Sequence, residues 1–107
     1  MAKDLTKADC YDIYKDLLTE KQQETMEMYY FSDLSLGEIS EETGNTRQAA
    51  FNCIKKCEER LEELESALGL LSKRSKGEKL LQKLKDCIEE GRKQEAENIL
   101  EELRELI

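Results

Sequence analysis

"SLGEISEETGNTRQAAFNCIKKC", residues 35–57, contains two helix beginnings and one helix end. Ser35 followed by Glu38 is a capping box, in which a hydroxyl and a carboxylate satisfy amides that a helix start leaves without partners. Leu36 and Ile39 supply the apolar face of that helix. Gly44 ends it, because glycine enters the left-handed region at little steric cost. Thr46 caps the next helix after a turn of about three residues, the connection length of a helix-turn-helix unit. With Gly44 at the turn, Ile39 and Ala50 face one another between the two helices, and Ser40 is small enough to let them approach.

The pattern extends in both directions from this unit. Downstream, Ile54, Cys57, Leu61, Leu64, Leu68 and Leu71 alternate at spacings of three and four, a heptad seam. A helix over 46–68 would be roughly 35 Å long, with Gly69 at its far end. Upstream, Cys10, Ile13, Tyr14 and Leu17 mark one face of a helix over 4–17. Thr19 with Gln22 is a second capping box, and Met26, Tyr29 and Tyr30 form the inward face of the helix it opens. "SKRSKGEK" at 72–79 reads as a short basic joint. Beyond it, Leu81, Leu84 and Ile88, then Ala96, Ile99, Leu103 and Leu106, with Gly91 between, predict an antiparallel helical hairpin. No tandem repeat stands out.

Two parts are therefore expected: a helix-turn-helix domain with an extended helix over 1–71, and a hairpin over 72–107 packed on it or on a dimer partner. The seam is longer than a small monomer leaves uncovered, so it is expected to pass partly under the hairpin and partly into a homodimer contact. Two-fold symmetry would then present two recognition helices.

Composition supports an all-α chain. It holds 107 residues with no proline and five glycines, and valine is absent, so a sheet has little to be built from. No apolar run reaches membrane length and the first ten residues have no apolar core of a leader, so a cytoplasmic protein without membrane insertion is expected. Cys10, Cys53, Cys57 and Cys87 are scattered, as for reduced, buried thiols. Cys53 and Cys57 lie four apart on one helix, but a metal would need two further soft ligands, and the chain has no histidine. No metal or other cofactor is expected. Nor is catalysis, since no Gly-rich phosphate loop or nucleophile–base pairing accompanies the missing histidine.

Charge singles out one window. The chain carries 25 Asp and Glu against 17 Lys and Arg, a net of −8, yet residues 43–57 hold no acidic side chain and three basic ones. Helical spacing places Thr46, Arg47, Gln48, Phe51, Asn52 and Lys55 on the outer side of the second helix, which enters the DNA major groove in such units. Arg47 can donate two parallel hydrogen bonds to guanine, and Gln48 or Asn52 can donate to and accept from adenine. Lys55 and Lys56 suit phosphates, and the amides at the helix start add a partial positive charge. Double-stranded DNA is the partner this pattern fits. Residues 58–71 carry five Glu against Arg60, so a single copy should hold DNA weakly, and dimerisation would double its contacts.

"LTEKQQETMEMYYFSDLSLGEISEETGNTRQAAFNCIKKCEERLEELE" resembles region 4 of bacterial sigma factors and, more closely, the YlxM family of small sigma-region-4-like proteins. Leu18-Thr19 with Gln22, the tyrosines before "DLSLGEI", and "TRQAAFNCIKKCEERLEE" carry the likeness, which spans residues 3 to about 71. The resemblance implies an all-helical, cytoplasmic bacterial protein that regulates transcription through DNA, with Arg47, Gln48 and Asn52 on its recognition helix. It also implies a tie, through gene neighbourhood, to the signal recognition particle pathway. An accessory factor meeting a protein of that pathway, without DNA, is the alternative.

Overall fold

The structure, a computed structural model, describes residues 5–107. These residues form six α-helices and no strand: α1 (Leu5–Tyr14), α2 (Glu20–Tyr30), α3 (Leu36–Thr43), α4 (Arg47–Leu68), α5 (Leu70–Glu90) and α6 (Lys93–Leu106), with a 3-10 turn over Lys15–Leu17. Both capping boxes form. The Thr19 hydroxyl accepts from the Gln22 amide at 3.2 Å, and the Gln22 side chain accepts from the Thr19 amide at 3.0 Å. Ser35 and Glu38 repeat the exchange at 3.1 and 3.0 Å. Each box anchors its helix start without help from distant residues.

The chain divides into two compact units, Met1–Leu68 and Gly69–Ile107. In the first, α1, α2 and α3 all pack on α4. Ile54, Cys57 and Leu61 have no exposure, and Leu64 is buried too. The expected seam is thus consumed within this unit up to Leu64. Leu68 is half exposed, and Leu71 lies past Gly69 on the next helix, so the seam does not continue to it as one stripe. Gly69, in the left-handed region at φ 62°, is what ends α4. The boundary between the units falls there and not at 72.

Hydroxyl-to-carboxylate bonds fasten α1 and α2 along α4. Tyr14 donates to Glu65 at 2.6 Å, Tyr30 donates to Glu58, and Lys7 pairs with Glu62. Several glutamates that make α4 acidic therefore hold neighbouring helices. Tyr11, donating to Glu27 at 2.9 Å, has its ionisation pushed upward, first by burial and then by that glutamate.

Two expectations fail here for one reason. The helix expected over 4–17 begins at a residue outside the described ones, and its α-helical part stops at Tyr14. The tighter 3-10 turn that follows rotates the chain, so Leu17 faces out at 58% exposure and Leu18 is buried instead.

In the second unit, α5 and α6 form the expected antiparallel hairpin, closed by Gly91 at φ 72°. Residues 72–79 are not a joint. Lys, Arg, Ser and Glu are compatible with a helix, and Gly77 sits where a Cβ would meet Leu106 at 3.6 Å, so α5 runs through them. The inward line of α5 is Gly77, Leu80, Leu84 and Cys87, facing Ala96, Ile99, Leu103 and Leu106. Leu81 and Ile88, expected to face inward, are exposed.

Candidate nucleic-acid interface

The helix-turn-helix unit is α3, the turn at 44–46, and the N-terminal half of α4. Ile39 and Ala50 are buried between the helices. Gly44 adopts the left-handed conformation at φ 73°. The Thr46 hydroxyl accepts from the Ala49 amide at 3.0 Å and so caps α4. At the start of α3, hydrogen bonds from Ser35, its backbone amide first and then its hydroxyl, hold the Glu38 carboxyl below its ordinary value.

Thr46, Arg47, Gln48, Asn52, Lys55 and Lys56 are all exposed, while Phe51 is half-buried. They do not form one uniform face. Gln48 and Asn52 share the outermost line of α4, roughly opposite its buried stripe, and the Gln48 amide donates to the Asn52 side-chain oxygen at 3.0 Å. Each is left with hydrogen-bonding capacity toward solvent.

Arg47 is turned toward α3. A Cβ built on Gly37 would lie 3.9 Å from Arg47 Cδ, so the arginine runs beside the first turn of that helix. Leu36, Arg47, Gln48 and Phe51 line an open groove on this flank. The guanidinium thus sits near two helix starts, whose free amides and partial positive charge favour an anion.

The other flank holds a residue that the sequence did not single out. Lys21, in the first turn of α2, joins Lys56, Asn45 and Asn52 around a groove of about 380 Å³ whose lining includes no carboxylate. Its charge was visible in the sequence. That it would share a groove with Lys56 depends on how α2 packs on α4.

Cationic groups therefore flank the Gln48–Asn52 line on both sides. Glu58 lies about 9 Å along the axis from Asn52, close to one screening length at 0.1 M salt. No group of three or more His, Cys, Asp or Glu side chains placed to hold a metal ion, around Cys53 and Cys57 or elsewhere, occurs among the described residues. Cys57 is fully buried, and burial first, then the neighbouring Cys53, push its thiol up to about 12.

A family model described as "Putative helix-turn-helix protein, YlxM / p13 like" matches residues 1–103. The chain belongs to this family, UPF0122. A UPF0122 protein of Halalkalibacterium halodurans is 48% identical over 79 residues, covering 74% of this chain and 72% of the relative. UPF0122 proteins of Bacillus thuringiensis and Bacillus cereus are 43% identical over 97 residues, covering 91% of this chain and 84% of each relative. The resemblance to the YlxM family read from residues 3 to 71 is thus upheld, and the UPF0122 match runs on through most of the hairpin. No helix is long and apolar enough to cross a membrane among the described residues.

Proposed function

We propose that this UPF0122 protein is a non-enzymatic, cytoplasmic, DNA-binding transcriptional regulator acting as a homodimer. One observation carries the reading: the Gln48–Asn52 line forms the outer edge of a helix-turn-helix, flanked by Arg47 and Lys55 on one side and Lys21 and Lys56 on the other. Gln48 and Asn52 enter the major groove and read base edges, and Thr46 and Phe51 border them. Arg47, beside the start of α3, and the three lysines contact phosphates.

The energetics explain the need for two copies. Four cationic contacts give a salt slope of roughly −3.6, and two recognition helices about twice that. A dimer converts a weak site into a salt-sensitive but usable one. The test is a titration of duplex pools at several salt concentrations, with bound sequences recovered. Enrichment of a shared motif supports the reading, and failure to bind any duplex at low salt ends it.

A second reading is favoured by the acidic half of α4, where Glu59, Glu62 and Glu63 remain exposed. It makes the chain an accessory factor that meets a basic protein partner in the signal recognition particle pathway. Capture of that machinery by a tagged chain, without DNA and with loss on Glu62→Lys/Glu63→Lys, would favour it.

A further inference from the structure

The hairpin of α5 and α6 has an uncovered apolar face. Leu81 and Ile88 on α5 are 56% and 68% exposed, Leu100 on α6 is 53% exposed, and Ile107 is fully exposed. At 100° per residue, Leu81 and Ile88 lie roughly 60–80° round α5 from its inward line. Leu100 and Ile107 lie as far round α6 from its own. Because the helices run in opposite directions, the same rotation brings both pairs to one broad side of the hairpin. A unit of fewer than about 40 residues rarely stands without oligomerisation or another staple, and in this one only Cys87 and Ile99 are buried.

Polar residues on this side indicate what covers it. Once the inward lines are known, "RSKGEKLLQKLKDCI" (74–88) and "KQEAENILEELRELI" (93–107) align position by position. Gly77 matches Ala96, Leu81 matches Leu100, and Ile88 matches Ile107. The acid Glu78 matches Glu97, and the base Lys85 matches Arg104. The face is therefore nearly symmetric about its own normal. The repeat is not obvious in the sequence because its polar positions differ in detail.

We propose that this face binds a second copy of the chain, closing two hairpins into a four-helix bundle. The proposal rests on the homodimer reading above and is independent of DNA. Two copies meeting face to face must be related by a two-fold axis lying in the interface. Gly77 lies beside Leu106, and the Cys87 thiol lies 3.8 Å from a Glu95 oxygen, which sets Leu81 and Leu100 at nearly the same level. With the axis across the helices at that level, Glu78 meets Lys85 of the second copy and Glu97 meets its Arg104. With the axis along the helices, Glu78 meets Arg104 of the second copy and Lys85 meets its Glu97. Both arrangements pair acid with base beside the Leu81–Leu100 centre, as rim charges do in helix bundles. A basic or acidic foreign partner would satisfy only half of this alternating rim.

Two charge-reversed chains test the proposal: Glu78→Lys/Glu97→Lys, and Lys85→Glu/Arg104→Glu. All four positions are exposed, and helical signal is recorded for each variant. Sedimentation of the full chain should show a dimer for wild type. Each variant alone should dissociate more readily by on the order of tenfold. Their mixture should recover a heterodimer near wild-type strength, because every reversed acid then meets a reversed base. Ile88→Gln, which leaves the rim intact, should also shift the chain toward monomer. A mixture no tighter than its components, or an Ile88→Gln chain as dimeric as wild type, overturns this face while leaving the dimer reading intact. A monomeric wild type at micromolar concentration overturns both.

Discussion

Replacing Leu61 with Ala separates the packing use of the α4 seam from a pairing use. Leu61 is fully buried, and on this stretch of α4 the Tyr14 hydroxyl holds Glu65 at 2.6 Å while Lys7 holds Glu62. These ties keep α1 from collapsing into the space left by the lost carbons. The loss should therefore be about 3 kcal/mol, inside the usual 2–5 kcal/mol for such a cavity. A unit of this size has roughly 3–10 kcal/mol to lose, and its melting point should fall by roughly 12–24 °C. Denaturation followed by helical signal at two protein concentrations, with sedimentation alongside, measures it. The stability loss should be the same at both concentrations, and the association state of the folded chain should not change. A loss below about 1 kcal/mol accompanied by dissociation to monomers would mean that Leu61 pairs two chains.

Asn52→Ala should cost about 1–3 kcal/mol per half-site on a preferred duplex and little on a random one, whereas Lys56→Ala, which removes one phosphate contact from each copy of the dimer, should weaken both and reduce the salt slope by about 1.8, as read by titration. Lys21→Ala should behave as Lys56→Ala does, although it lies outside the helix-turn-helix unit. The Glu38 carboxyl is held below its ordinary value of 4.5, so its charged form stabilises the fold above that pH and the contribution is lost as pH falls through the folded value. The stability gap between wild type and Glu38→Gln should accordingly be present at neutral pH and shrink as pH falls below the ordinary carboxylate range, as read in urea melts. In a timed alkylation of the native chain followed by mass spectrometry, Cys53 should react first, because Cys10, Cys57 and Cys87 are buried.

Local interactions were the legible part of this fold. Both capping boxes and the turn at Gly44 are made by residues within four positions of one another, so the sequence displays their full chemistry. The seam from Ile54 to Leu64 was legible as apolar, but its covering was not. Whether α1 to α3, the hairpin or a second chain lies over it depends on side chains far away. On α5 the adjacent pair Leu80 and Leu81 allowed two inward faces, and small residues decided between them: Gly77 beneath Leu106, and buried Cys87. Neither registers strongly in a hydrophobic pattern. The basic run at 72–79 looked like a break because charge and glycine usually mark one, yet its residues can continue a helix. At the site, the residues on α4 were readable from helical spacing. The position of Arg47 against α3 and the arrival of Lys21 beside Lys56 belong to packing between helices.

The most direct test is the salt dependence of duplex binding by wild type beside the quadruple variant Lys21→Ala/Arg47→Ala/Lys55→Ala/Lys56→Ala, with helical signal recorded for both. All four side chains are exposed, so the fold should survive. Wild type should bind with affinity falling steeply as salt rises, at a log–log slope of roughly −7 for the dimer, and the variant should lose nearly all of that slope. Equal slopes for the two proteins, or no binding by wild type at low salt, would contradict DNA binding through this face.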